Sequence, residues 1–79
     1  MKTHELKILP QYYNQILDGS KSFELRKDDR DYSVNDYLRL KEWDGTKFTG
    51  RTYLCSILSI LKDCKDYGLM DGYVILSIG

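Results

Sequence analysis

Hydrophobic and polar positions alternate along most of this chain in short runs that favour β-strands. In such runs every second side chain points to the same face of the sheet. Residues 43–48 carry Asp44-Gly45, a dipeptide typical of hairpin turns, and Gly50 predicts a bulge or bend inside the run that follows. The predicted strands are residues 3–9 (THELKIL), 20–27 (SKSFELRK), 36–43 (DYLRLKEW), 48–61 (FTGRTYLCSILSIL) and 73–78 (YVILSI).

One run has helical spacing instead. Residues 10–19 (PQYYNQILDG) place a tyrosine at position 12 or 13 on the same face as Ile16 and Leu17. Pro10 suits the first turn of a helix, where its missing N–H costs nothing. Gly19 suits the left-handed residue that ends a helix. We therefore predict one short helix between the first two strands.

The order strand, helix, strand, strand, long strand, strand predicts a single domain over residues 1–79. It is mainly β, of the α+β type, and we expect a small, partly closed barrel with the helix at one end. A flat open sheet fits less well, because residues 73–78 would make an exposed apolar edge. The apolar members of the strands are predicted to be buried, namely Phe23, Leu25, Leu38, Leu40, Ile57 and Ile75.

Composition narrows the classes of function. Twelve basic and twelve acidic residues give a formal net charge of zero. Tight electrostatic wrapping of a nucleic-acid duplex usually needs a basic excess, whereas a small charged cleft is compatible with neutrality. No apolar run is long enough for a membrane span, so we expect no membrane partner.

The few metal-binding and thiol side chains predict neither a metal site nor a disulfide framework. Cys55, Cys64 and the single His4 lack the spacing of a four-ligand zinc site, so we expect no metal and no cofactor. Unpaired cysteines favour a reducing, cytoplasmic location. Residues 26–31 (RKDDRD) interleave acids with bases, which predicts ion pairs within the run rather than a metal site.

The stretch GSKSFELR, residues 19–26, concentrates three long charged side chains. Lys21 lies just after the predicted helix, and Glu24 and Arg26 share one face of the next strand. This face is either the ordinary solvated side of a half-buried strand or the polar floor of a cleft. A carboxylate accepts from base amino groups, and an arginine stacks on a base or binds phosphate.

This stretch resembles the G-x-K-x-x-E-x-R signature of ASCH (activating-signal-cointegrator homology) domains, which belong to the PUA-like group of small β-barrels. The continuation through RKDDRDY and D-x-L-x-L-x-E-W, the later FTGR and the closing GYVILSI also resemble a small ASCH-like family of bacteria and phages. The resemblance implies a PUA-like barrel, a turn at Gly19, and a groove that contains Lys21, Glu24 and Arg26. RNA binding is the role proposed for that superfamily.

One branch of the superfamily resembles an N4-acetylcytidine amidohydrolase, which uses a lysine and a threonine of this motif with a later glutamate. Lys21 matches the lysine, but Glu24 stands at the position of the threonine nucleophile. That departure removes the hydroxyl needed for covalent attack. Glu42 is the one glutamate that follows the motif. The sequence therefore identifies no catalytic residue.

The leading interpretation is a non-catalytic module for single-stranded or modified RNA, in which Lys21 and Arg26 contact phosphate or ring and Glu24 contacts a base edge. Trp43, beside the hairpin turn, is a further candidate for stacking on a base, although a tryptophan there more often caps a small core. Two alternatives stay open: a hydrolase of modified nucleosides, and a protein-interaction module with no nucleic-acid role.

Overall fold

A computed structural model describes all residues from Met1 to Gly79 and shows one helix packed against a five-stranded sheet. In chain order the elements are β1 (Thr3–Ile8), α1 (Pro10–Leu17), β2 (Phe23–Lys27), β3 (Tyr37–Trp43), β4 (Phe48–Leu61), a 3-10 turn (Lys65–Tyr67) and β5 (Tyr73–Ile78). The predicted mainly β fold with one short helix is confirmed. The single α-helix spans eight residues, and no helix here has the length and apolarity to cross a membrane.

The strands lie in the order β1-β3-β4-β5-β2. β1 pairs with β3 in parallel, and the other three pairs are antiparallel. The final apolar strand β5 is interior and not the exposed edge that we expected of an open sheet, and the edges are β1 and β2. These edges share no ladder of hydrogen bonds, so the sheet is not closed into the barrel that we predicted. The Arg26 side chain bridges them instead, through Nη2, which donates to the Lys7 carbonyl oxygen at 2.5 Å.

The turns follow their sequence signals. Gly19 has φ +83° immediately after the helix, and Gly45 has φ +109° in the hairpin between β3 and β4. The register of that hairpin shifts between the pairs Lys41–Thr52 and Trp43–Phe48, and Gly50 lies inside the shift with φ +96°. A residue with a Cβ is strained in this region of φ, so glycine allows the bend.

The core lies between the inner face of the curved sheet and α1. Three of the residues predicted to be buried, Leu38, Leu40 and Ile57, are fully buried, and Ile75 is half-buried. The core consists of Leu6, Ile8, Tyr13, Ile16, Tyr32, Leu38, Leu40, Cys55, Ile57, Val74, Leu76 and Ile78.

The prediction that Phe23 and Leu25 are buried is wrong. Antiparallel partners share a face of the sheet, and the register pairs Glu24 with Leu76 and Leu25 with Ile75. Leu76 is fully buried, so Glu24 points into the molecule, and Leu25 points outward with 56% exposure. The alternation in β2 separates two sets of side chains but does not show which set faces the core. The pairing with β5 determines that the Glu24 face is the inner one.

The two cysteines should differ in thiol reactivity. Burial raises the pKa of the Cys55 thiol to about 11, and only a thiolate is nucleophilic. Cys64 is half-buried, beside the 3-10 turn. We expect a disulfide reagent at about pH 8 to modify one thiol rapidly and the second only on unfolding. The Cys64→Ser variant should lose the rapid phase, and equal rates for both thiols in the parent would contradict the burial of Cys55.

Candidate functional site

A groove of about 640 Å³ opens where the end of β1, the helix α1 and the edge strand β2 meet. It contains the three charged residues of the motif on its floor, together with the exposed rings of Tyr12 and Phe23. Lys21 lies before the first residue of β2, so the alternation of side chains along that strand does not determine its direction. The structure thus brings Lys21, Glu24 and Arg26 together, as the motif predicts.

Glu24 lies between two cations. Its Oε1 accepts from Lys21 Nζ at 2.5 Å, and its Oε2 accepts from Arg26 Nε at 2.9 Å and lies 2.8 Å from Arg26 Nη2. The side chains of Lys21, Glu24 and Arg26 are only 13%, 5% and 24% exposed. This face of β2 is therefore the polar floor of a cleft and not a solvated surface.

The cations are held by further contacts on the floor of the groove. Lys21 Nζ donates to the Phe23 carbonyl oxygen at 2.7 Å and lies 5.5 Å from the centroid of the Tyr12 ring. Arg26 Nη2 donates to the Lys7 carbonyl oxygen across the gap between the two sheet edges. Such contacts fix the positions of both charges, and the cluster of one carboxylate and two cations carries a net charge of +1.

Glu42 does not line the groove. Its carboxylate accepts from Thr49 Oγ1 at 2.6 Å and from Arg51 Nε and Nη2 at 2.9 and 2.7 Å. These hydrogen bonds, those from Arg51 foremost, lower the pKa of Glu42 to about 2. Arg51 also lies over the Tyr13 ring and donates to Asn14, so the cluster joins β3, β4 and the helix.

The other two residues singled out in the sequence lie away from the floor of the groove. Trp43 is half-buried and does not line the groove, and Lys7 Nζ lies 4.5 Å from the centroid of its ring. Gly19 forms the turn after the helix.

A second buried polar cluster joins β1 to the loop before β3. Asp36 Oδ2 lies 2.9 Å from His4 Nε2 and accepts from the Ser33 N–H at 3.0 Å, while Oδ1 accepts from the Lys2 N–H at 3.0 Å. Hydrogen bonds from Lys2 and His4 lower the pKa of Asp36 to about 2. The cluster ties the first strand to the sheet.

The acidic residues of the RKDDRD run do not pair within it, in contrast to the prediction. Asp28 lies 3.6 Å from Lys62 Nζ, and Asp31 lies 3.0 Å from Lys2 Nζ. Both partners are distant in sequence, so the loop is attached to the rest of the domain by its carboxylates. The sequence could not have identified either pair.

The sequence pattern did not identify several of the residues that line the groove. Tyr12 and Tyr13 were equivalent as apolar positions of the helix, but Tyr13 enters the core and Tyr12 faces the groove. Lys7 ends up beside the motif because β1 pairs with β3 in parallel at one edge of the sheet and β2 lies at the other.

Comparison with known proteins places these observations in a family. Residues 3–78 match the family model described as Domain of unknown function (DUF3850). A protein of Escherichia phage P2, described as an uncharacterized 12.9 kDa protein in the GpA 3′ region, is 39% identical over 75 residues. That alignment covers 95% of this chain but 66% of the phage protein, so the chain spans less than two thirds of the length of this relative.

Proposed function

The chain belongs to the DUF3850 family, and from the geometry of its groove we propose that it is a binding module for single-stranded or modified RNA. The observation that carries the proposal is a pair of cations, fixed on one buried carboxylate, in a groove that also exposes two aromatic rings. Fixed cations suit phosphate, and exposed rings suit unstacked bases.

Lys21 and Arg26 are the residues of the groove that we expect to bind phosphate. The contacts of Arg26 use Nε and Nη2, which leaves the two N–H groups of Nη1 for a ligand. Lys21 uses its ammonium on Glu24 and the Phe23 carbonyl oxygen, and an ammonium has three donors. Because both oxygens of Glu24 already accept from cations, we assign Glu24 to positioning Lys21 and Arg26 rather than to reading a base edge.

Tyr12 and Phe23 are the residues of the groove that we expect to stack on bases. They are 42% and 46% exposed and line the same groove, one from the helix and one from the first residue of β2. Lys21 Nζ lies 5.5 and 5.0 Å from their centroids, so the ammonium sits close to both rings. A base stacked on either ring would bring its phosphate within reach of Lys21 or Arg26.

We further propose that the DUF3850 fold is a branch of the ASCH group within the PUA-like superfamily. The support is that the signature lies at the junction of helix and sheet and that its charged residues face a groove. Two unpaired cysteines favour a reducing compartment, so the proposal includes a cytoplasmic location.

Removing the Phe23 ring should weaken RNA binding and keep the hydrogen bonds of the ion cluster, because Lys21 Nζ donates to the Phe23 backbone carbonyl and to Glu24. Stacking of a base on an aromatic side chain contributes about 1–3 kcal/mol, so Phe23→Ala should lower affinity by about 5- to 150-fold. Fluorescence anisotropy with a labelled single-stranded RNA of about eight nucleotides measures the change. Tyr67→Ala is the matched control, because Tyr67 is 93% exposed and does not line the groove.

The same titrations separate the alternatives. Equal affinities of the Phe23→Ala variant and the parent would remove the base-stacking part of the proposal. Absence of binding at millimolar RNA would favour a protein-interaction module. Release of acetate from N4-acetylcytidine by the parent at an enzymatic rate would favour the hydrolase.

A further inference from the structure

A second cavity of about 450 Å³ adjoins the groove and shares two of its residues, Lys7 and Arg26. It lies on the other side of the Arg26 side chain, toward β1, β3 and the loop after β2. Four cations line it, and Glu5 is its single carboxylate. Besides the two shared residues, the cations are Arg30 and Lys41.

Three of these four cations are only weakly neutralised by the protein, whereas Arg26 is paired with Glu24. Lys7 and Arg30 form no ion pair, and Lys41 Nζ lies 4.0 Å from Glu5, whose other oxygen already accepts from Arg39 at 3.1 Å. The nearby acidic residues Asp28 and Asp31 pair with lysines outside the cavity. The cavity therefore keeps a net positive charge, because Glu5 is the single carboxylate that lines it against four cations.

Aromatic rings hold two of the ammonium groups in place. Lys7 Nζ lies 4.5 Å from the Trp43 centroid, and Lys41 Nζ lies 4.5 Å from the Phe48 centroid. Contacts of this kind restrict a flexible lysine without removing its charge. Trp43 and Phe48 thus act in this cavity through the lysines that they position.

We infer that the RNA site extends over both cavities and that its ligand is a chain with at least two phosphates, placed on either side of Arg26. This inference rests on the proposed RNA binding and deepens it. Together the cavities collect five cations and two carboxylates, although the whole chain is neutral. A single nucleotide fills the groove and leaves the second cavity empty, whereas an oligonucleotide uses both.

The test compares ligands of two lengths on the same variants. The double variant Arg30→Gln/Lys41→Gln removes two charges from the second cavity and none from the groove. Anisotropy measures a labelled single-stranded RNA of about eight nucleotides, and calorimetry measures a 5′-mononucleotide. The matched control is Lys27→Gln/Lys65→Gln, which removes two charges from side chains that line neither cavity.

We expect the double variant to bind the oligonucleotide roughly tenfold more weakly at about 50 mM salt. Its log–log salt slope should be smaller in magnitude by about 0.7, since each neutralised phosphate contributes roughly 0.7 for single strands and the variant loses the phosphate contact of the second cavity. Affinity for the mononucleotide should not change, and the control should match the parent with both ligands.

Unchanged affinity and salt slope for the oligonucleotide would overturn the second cavity as part of the site and leave the groove proposal intact. An equal loss in the control variant would overturn it as well, because the effect would then come from overall charge. If the parent binds neither ligand, the proposed function fails, and the extended site fails with it.

Discussion

Leu76→Ala should destabilise the domain by about 2–5 kcal/mol, the usual cost of removing a fully buried leucine side chain. Leu76 has no exposed surface, and its strand β5 lies between two neighbours in the sheet. A chain of 79 residues has a small core, so this cost is a large share of its total stability. Urea denaturation followed by circular dichroism measures the shift of the midpoint.

Leu25→Ala is the matched control, because the same side chain is truncated one strand away. Leu25 is 56% exposed on the outer face of β2, so its loss should cost well under 1 kcal/mol. If Leu76→Ala does not fold, Ile57→Val offers a milder test at about 0.5–1.5 kcal/mol. Equal destabilisation by Leu25→Ala and Leu76→Ala would contradict the register of β2 and β5, and with it the inward direction of Glu24.

Asp36→Asn should destabilise the domain measurably at neutral pH. The Asp36 carboxylate accepts from two backbone N–H groups and contacts His4, and its side chain is only 4% exposed. An amide has one accepting oxygen, so at least one of the two backbone donors loses its partner at a cost of about 1–3 kcal/mol. Thermal unfolding at neutral pH measures this loss of stability. Asp31→Asn is the control, because the Asp31 side chain is 92% exposed.

Acid should destabilise the parent more than the Asp36→Asn variant. The pKa of Asp36 is lowered from 3.8 to about 2 in the folded chain. A carboxyl group with a lowered pKa stabilises the fold above its unfolded pKa and loses that contribution as pH falls toward its folded pKa. The melting temperature of the parent should therefore fall steeply between about pH 4.5 and pH 2, where Glu42 also titrates. An unchanged acid profile for Asp36→Asn would contradict this role.

Local signals were sufficient for most of the secondary structure. Pro10 and Gly19 bracket the helix as their backbone preferences require, and Asp44-Gly45 marks the hairpin between β3 and β4. The position of β5 inside the sheet also follows from its apolar composition. Closure of the sheet could not be predicted in this way, because it depends on how far apart the edges β1 and β2 lie after the sheet curves.

The candidate site was predictable only where it is contiguous in sequence. Lys21, Glu24 and Arg26 lie within six residues, and the motif predicted that they share one groove, which all three line. Their direction depends on a partner strand some fifty residues away: Glu24 faces inward because it pairs with Leu76. Lys41 joins Lys7 through the parallel register of β1 and β3, which no local pattern encodes.

The joined cavities give this neutral chain a marked electric dipole. They account for five of the twelve basic and two of the twelve acidic residues, so seven basic and ten acidic residues remain on the rest of the molecule. One side therefore carries a net charge of +3 and the remainder −3. The seven basic residues outside the cavities are outnumbered by ten acidic ones, so the attraction to a polyanion is concentrated at the cavities. In a chain of zero net charge, this uneven distribution favours an approach to a polyanion with the cationic side first.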